Sequence, residues 1–140
     1  MFICGGDDMV RYKAYKFRIY PNKEQKELLK NTFGCVRFVY NYYLSRRKDL
    51  YESEKRTLSY QSCAKDLVGL KKEKQFLKEV DSIALQQSLR HLDVAFQNFF
   101  RKAKNGYPRF KSKKQHHYSY TTVCVNHNIR LGRATCCCQN

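Results

Sequence analysis

Positively charged side chains alternate with aromatic rings in the stretch from Arg101 to Lys114. Tyr107 and Phe110 lie among its cations. Lysine and arginine neutralise phosphates and release counterions from a nucleic-acid backbone, whereas tyrosine and phenylalanine can stack on unpaired bases. The pattern therefore favours contact with nucleic acid over a merely solvated basic surface.

No set of residues in the sequence has the spacing of a catalytic centre or of a metal site. The acids are scattered, and no pair of them is placed for shared metal binding or for acid–base chemistry. The seven cysteines lack the paired spacing of a zinc site, and Cys136, Cys137 and Cys138 are adjacent. We therefore predict no catalytic residue, no metal ligand and no cofactor in this chain.

The charge is distributed unevenly along the 140 residues, which carry a formal net charge of +16. Residues 94–140 contain nine lysines or arginines and no acid, whereas residues 1–93 contain 19 basic and 12 acidic residues. This division predicts a globular body followed by a contact surface for a polyanion. No apolar run is long enough to span a bilayer and no signal peptide is evident, so we expect a cytoplasmic protein without membrane contact.

Alternating side chains predict β-strands on both sides of a helical region. In residues 12–20, aromatic and β-branched side chains alternate with Lys16 and Arg18, which would lie on the polar face of a half-buried strand. Residues 107–114 and 118–125 are also rich in residues typical of extended segments. The chain is therefore expected to have an α+β fold.

Between these segments the sequence predicts about four helices. The first would begin at the capping residue Asn22, and Gly34 would separate it from a second helix over residues 36–54. Ser59 is the predicted cap of a short helix and Asp81 that of the clearest helix. The apolar seam of that last helix is formed by Leu85, Leu89, Leu92, Phe96 and Phe99.

Several stretches, in matching order, resemble the TnpB (OrfB) family, whose members are encoded by insertion sequences of bacteria and archaea. They are KAYKFRIYPN at 13–22, CVRFVYN at 35–41, QQSLR at 86–90 with the helical run 96–101, and GYPRFKSK at 106–113. The similarity covers residues 9–131 approximately, which makes it specific.

The resemblance implies an RNA-guided DNA endonuclease related to type V CRISPR effectors. Its amino-terminal region would hold a guide RNA and read a short motif beside the DNA target, while base pairing reads the sequence. The fold implied is a mostly helical bundle with helix-turn-helix-like recognition helices. This bundle would be inserted between the strands of an incomplete β-barrel.

The same resemblance implies a division of the chain. Residues 9–21 would form the first barrel strand, 22–106 the helical recognition domain and 107–131 the returning strands. Residues 1–8 and 132–140 match nothing in the family and would be an extension and an aberrant tail. The family's RuvC-like carboxylates, their Mg²⁺ ions and its Zn²⁺ finger would lie beyond the carboxyl end, so we expect a truncated, non-enzymatic region.

The expected partners are guide-type RNA and target DNA, and the candidate contacts form two groups. Charge predicts nucleic-acid contacts for Lys16, Arg18, Arg101, Lys102, Arg109, Lys111, Lys113 and Lys114. The resemblance implies contacts to motif or RNA for Arg37, Asn41, Gln86, Gln87 and Arg90, and Arg46 is a further candidate.

Two other interpretations stay open at this point. The chain could be a stand-alone, dimeric helix-turn-helix regulator, whose second helix would direct Arg37, Asn41 and Arg46 towards bases in a major groove. It could also be a non-functional pseudogene product, in which unpaired barrel strands would favour aggregation.

Overall fold

In the computed structural model, the described residues form three α-helices that pack around one apolar core. The residues described are 14, 16, 18–115 and 118–124. Helix α1 runs over Lys23–Glu54, α2 over Tyr60–Glu73 and α3 over Ser82–Arg101. One short 3₁₀ turn, Gln75–Lys78, lies between α2 and α3, and two others, Ala103–Asn105 and Lys113–Gln115, come after α3.

Each helix begins at a side-chain cap that the sequence predicts. Asn22 Oδ1 accepts a hydrogen bond from the Gln25 N–H at 2.8 Å, and Gln25 Oε1 accepts one from the Asn22 N–H at 3.0 Å. Ser59 caps α2, and Asp81 caps α3 by accepting from the Ile83 N–H at 3.0 Å. The caps satisfy amide groups that a helix leaves without partners, so the helix starts predicted at Asn22, Ser59 and Asp81 are confirmed.

The core lies where α3 packs against α1, and α2 covers it from one side. Leu85, Leu89 and Leu92 of α3 are at most 1% exposed. Burying one such leucine contributes about 1.5–3 kcal/mol. The buried apolar face of α1 consists of Cys35, Val36, Val39, Tyr40, Tyr43 and Leu44. The predicted seam of α3 is therefore confirmed for Leu85, Leu89, Leu92 and Phe96, whereas Phe99 is half-buried and lies outside the core.

The predicted break at Gly34 is wrong, because α1 continues through this residue as one helix of 32 residues. At about 1.5 Å per residue it is about 48 Å long. A glycine in a helix interior costs only about 1 kcal/mol relative to alanine. The burial of Cys35, Val36 and Val39 immediately after it outweighs that cost.

The expected α+β fold with an incomplete barrel is also wrong, since the part of the chain that the structure describes contains helices and no β-strand. Lys16 and Arg18 precede α1 without regular structure, and residues 107–112 and 118–124 are equally irregular. A strand needs a neighbour that pairs with its N–H and C=O groups, and residues 107–112 meet a helix instead. Outside the described residues lie most of the expected strand 9–21, the segment 125–131, the extension 1–8 and the tail 132–140.

Replacing Gly34 with alanine is expected to raise the free energy of unfolding by about 0.5–1 kcal/mol. Alanine favours the helix, and no atom lies within 4 Å of the position that its Cβ would take. Urea denaturation followed by circular dichroism measures the change. Gly106→Ala is the matched control and should lower stability, because Gly106 has a φ of +69° that strains an L-residue. A stability loss in Gly34→Ala would contradict the continuous helix.

Candidate nucleic-acid interface

Asn41, near the middle of α1, holds residues 107–115 against the helical bundle, and we call these residues the docked segment. Asn41 Oδ1 accepts a hydrogen bond from the Lys111 N–H at 2.8 Å, and its Nδ2 donates to the Lys111 carbonyl at 2.9 Å. The two bonds occupy the main-chain groups that a strand neighbour would otherwise pair with. The Asn41 amide is therefore engaged within the chain and positions the basic stretch that the sequence singles out.

The Lys111 ammonium lies over the ring of Tyr40, with Nζ 4.3 Å from the ring centroid. Lys111 is half-buried, and burial lowers the pKa of its ammonium below the ordinary 10.5. A cation in this position is attracted by the ring, while its methylene stem packs on apolar surface. Lys111 thus helps to attach the docked segment to the bundle.

Beside Asn41, a cleft with cationic and aromatic walls lies between α1 and the residues that follow α3. We call it the basic cleft; its volume is about 610 Å³, and it is lined by Lys30, Asn31, Phe33, Gly34, Arg37, Lys113 and Tyr118. The centroid of the Phe33 ring lies 5.7 Å from that of Tyr118 and 5.8 Å from that of Tyr120. These rings form a wall on which a base can stack.

The cations of the basic cleft have no acidic partner among the residues that the structure describes. Lys30, Arg37 and Lys113 form none of the ion pairs found there. Lys30 and Lys113 are exposed and Arg37 is half-buried. Neighbouring like charges repel one another, so a polyanion that neutralised them would be electrostatically favoured in this cleft.

Arg46 is paired with an acid of the neighbouring helix. Its guanidinium forms an ion pair with Asp66 of α2, and the Tyr43 hydroxyl donates to the same carboxylate at 3.0 Å. Tyr43 is fully buried, and burial together with this hydrogen bond raises the pKa of its phenol. Of the three residues that a helix-turn-helix regulator would direct to bases, Asn41 and Arg46 are therefore bonded within the chain.

The predicted contacts on α3 lie outside the basic cleft. Gln86 is exposed and Gln87 is half-buried. The Arg90 guanidinium stacks over the ring of Tyr60 in α2 at 5.5 Å, and its Nε lies 3.4 Å from the Tyr60 hydroxyl. The structure does not bring these three side chains together with Arg37.

The remaining predicted cations are exposed, as phosphate contacts require. The Arg18 guanidinium lies 5.6 Å over the ring of Tyr20. Arg109 lines a shallow hollow beside Tyr40. The exposed cations other than Arg18 are Lys16, Arg101, Lys102, Arg109, Lys113 and Lys114.

Lys30, Phe33 and Tyr118 line the basic cleft but are absent from the sequence-based candidates. The sequence does contain a signal for Lys30 and Phe33, because these residues and Arg37 are spaced by three and four residues and so share one helix face. The predicted break at Gly34 hides this face by assigning its residues to two helices. Tyr118 comes from a distant part of the chain and leaves no such signal.

The described residues provide no group of three or more histidine, cysteine, aspartate or glutamate side chains that could hold a metal ion. Cys35 and Cys63 are free and buried, and burial raises the pKa of both thiols. Raised pKa values keep these thiols protonated, as expected of packed side chains. No helix formed by the described residues is both long and apolar enough to cross a membrane.

Comparison with known proteins reveals relatives for most of the chain. Residues 9–56 match the family described as a helix-turn-helix domain of OrfB and IS605 proteins. In the described part of this range the structure has one helix, α1, in place of two helices joined by a turn.

Two curated relatives carry the name "Putative RNA-guided DNA endonuclease". The protein of Streptomyces pristinaespiralis is 48% identical over 105 residues, and InsQ of Escherichia coli strain K12 is 38% identical over 109 residues. These matches cover 74% and 76% of this chain but only 26% and 27% of the relatives, so the chain spans about a quarter of their length. The virulence protein VsdF of Salmonella dublin is 43% identical over 111 residues, which cover 72% of this chain and 93% of VsdF.

Replacing Asn41 with alanine is expected to release the docked segment, because the Lys111 N–H and carbonyl lose their partners. The free energy of unfolding should fall by about 1–3 kcal/mol. Urea denaturation measures this loss, and limited trypsin digestion should cut faster after Arg109 and Lys111. Asn31→Ala is the matched control, since Asn31 is exposed on the same helix. Equal digestion of the two variants would contradict the docking.

Replacing Lys111 with methionine tests the cost of burying its charge. Because the folded-state pKa is lowered, the protonated form is disfavoured in the folded protein, and this cost vanishes as the pH rises towards 10.5. The stability of the parent protein relative to Lys111→Met should therefore increase with pH in the alkaline range, as urea denaturation at a series of pH values would show. The exposed Lys113→Met variant is the control, and an identical trend in both variants would contradict the assignment.

Proposed function

Because this chain belongs to the TnpB (OrfB) family, we propose that it binds nucleic acid through the basic cleft and the docked segment. The family is shown by the helix-turn-helix match at residues 9–56 and by the two relatives named as RNA-guided DNA endonucleases. Those names support RNA and DNA as the classes of ligand.

This proposal rests on cations that lie beside clustered aromatic rings and that have no acidic partner among the described residues. Lys30, Arg37 and Lys113 line the same cleft as Phe33 and Tyr118. Phosphates would neutralise the cations, and stacking of a base on such rings contributes about 1–3 kcal/mol. A purely structural face would instead pair its arginines with carboxylates within the chain.

We further propose that the natural ligand is a guide-type RNA together with its DNA target. Exposed cations hold the sugar-phosphate backbone and carry little sequence information. That property suits a guided protein, in which base pairing selects the target while the protein recognises backbone shape and a short adjacent motif.

We also propose that this chain does not cleave DNA by itself. Two-metal cleavage needs clustered carboxylates, and the described residues supply no such cluster. Incubating the purified chain with guide RNA, target DNA and Mg²⁺ should leave the DNA intact on a denaturing gel. Cleavage that disappears on adding EDTA would overturn this part of the proposal.

A variant that combines Lys30→Ala, Arg37→Ala and Lys113→Ala should bind structured RNA more weakly. Each lost phosphate contact removes about 0.7–0.9 from the slope of log affinity against log salt, so the slope should fall by about 2–3. Fluorescence anisotropy at a series of salt concentrations measures both quantities.

The matched control combines Lys65→Ala, Lys72→Ala and Lys78→Ala. It removes the same amount of charge from exposed positions outside the basic cleft. The control should retain most of the affinity and of the salt slope. If both variants lose affinity equally, total charge and not the basic cleft carries the binding.

A further inference from the structure

A second cleft lies between the carboxyl-terminal halves of α1 and α3, and we call it the aromatic cleft. Its volume is about 450 Å³, within the range of small-ligand sites. Its apolar walls are formed by Tyr51, Phe96, Phe99, Phe100 and Tyr107. A planar ligand of the size of one base fits this space.

The rings of this cleft are held in place by one another. The Tyr107 ring meets Phe96 and Phe99 edge-on, with centroids 5.6 Å and 5.5 Å away. Phe100 stacks on Phe96 with a centroid distance of 6.4 Å and is 70% exposed. An exposed face of Phe100 beside a rigid ring cluster gives a flat ligand a surface for stacking.

Arg47 lines the same cleft and is unusual in being only 6% exposed. Its Nη2 donates to Asp93 Oδ1 at 3.1 Å and to the Cys63 sulfur at 3.9 Å, and its guanidinium lies 5.1 Å over the Phe96 ring. Its Nε is buried without a hydrogen-bond partner, and its Nη1 makes no hydrogen bond to the described residues. A largely buried guanidinium with unused donors is unfavourable, and an acceptor brought by a ligand would satisfy Nη1, which is not among the fully buried atoms.

Acceptor groups for the neighbouring edge of a ligand lie next to Arg47. The Asp93 carboxylate is 30% exposed, and its Oδ2 accepts from Gln97 Nε2 at 3.0 Å. Gln97 lines the cleft too, and its own carbonyl Oε1 can accept a hydrogen bond. The cleft thus presents donors and acceptors side by side at the edge of an aromatic slot.

We propose that the aromatic cleft binds one unpaired guanine base of the nucleic acid, an inference that rests on the proposed function. Guanine carries two adjacent acceptors, O6 and N7, and either can accept a hydrogen bond from Arg47 Nη1. Its neighbouring N1–H and N2–H₂ groups are donors that the Asp93 carboxylate and the Gln97 carbonyl can accept. Cytosine has a single donor group, N4–H₂, in place of the guanine N1–H and N2–H₂, so it cannot satisfy the Asp93 carboxylate and the Gln97 carbonyl as fully.

Cations stand where the phosphates on either side of such a base would lie. Lys55 Nζ is 5.2 Å from the centroid of Tyr51, at one side of the cleft. The exposed Arg101 and Lys102 directly follow Phe100 at the other side. The nearby acid Glu52 is paired with Lys48 at 3.8 Å. The rim therefore favours a phosphodiester chain over a neutral ligand.

The test uses RNA hairpins of identical stem and loop that carry a single bulged guanine, a single bulged cytosine or no bulge, with DNA versions alongside. The parent protein should bind the guanine bulge about tenfold more tightly than the other two hairpins, as hydrogen bonds specific to one base predict. Comparison with the DNA versions shows whether the cleft binds the base on a deoxyribose backbone as well as on a ribose backbone.

Phe100→Ala and Gln97→Ala should abolish this preference while leaving the affinity for the hairpin without a bulge unchanged. Both side chains are exposed, so neither change threatens folding. Arg47→Met should also abolish it, with circular dichroism to verify its fold. Val94→Ala is the control, because Val94 is 50% exposed on α3 and does not line the cleft.

Each outcome decides between the two proposals. Equal binding of all three hairpins, or a guanine preference that survives Phe100→Ala and Gln97→Ala, would overturn the base site while leaving the basic cleft as a nucleic-acid surface. Failure of the parent protein to bind any hairpin at low salt would overturn the proposed function itself, and the base site with it.

Discussion

The packing of α3 across α1 is the interaction on which the rest of the structure depends. The Ser88 hydroxyl donates to the carbonyl of Val36 at 2.9 Å inside the buried interface, and Arg47 bonds to Asp93 at 3.1 Å closer to the helix ends. The Ser88 contact needs a small side chain where the helices approach closely, and the contact with Asp93 keeps the buried charge of Arg47 paired. Together they determine how both helices are rotated, and hence which side chains of α1 face outwards.

Both clefts follow from that rotation and from the continuity of α1. Arg37 lies towards its amino-terminal half and lines the basic cleft, whereas Arg47, further along the same helix, lines the aromatic cleft. Asn41 lies between the two arginines and attaches the docked segment. One uninterrupted helix therefore keeps the basic cleft and the aromatic cleft at a constant separation, as the proposed binding of a single nucleic-acid chain would require.

The sequence predicted the features that depend on neighbours along the chain. The caps at Asn22, Ser59 and Asp81 and the seam of α3 from Leu85 to Phe96 are confirmed, and the comparisons confirm the TnpB (OrfB) assignment. The expected barrel is wrong, because alternation describes an extended segment and cannot supply the strand that must pair with it. The break at Gly34 is wrong for a related reason, since local propensity is weak against the burial of the helix that follows.

For the candidate sites, the sequence by itself determined the excess of positive charge, its concentration after Asp93 and the supply of aromatic rings. Only the tertiary structure decided which cations lack an acidic partner among the described residues. Arg37 and Arg46 look alike in the sequence, yet Arg46 is paired with Asp66 of another helix. Pairing and burial depend on contacts between residues that are far apart in the chain, so composition and periodicity cannot reveal them. The fold therefore decides which cations are paired and which are not.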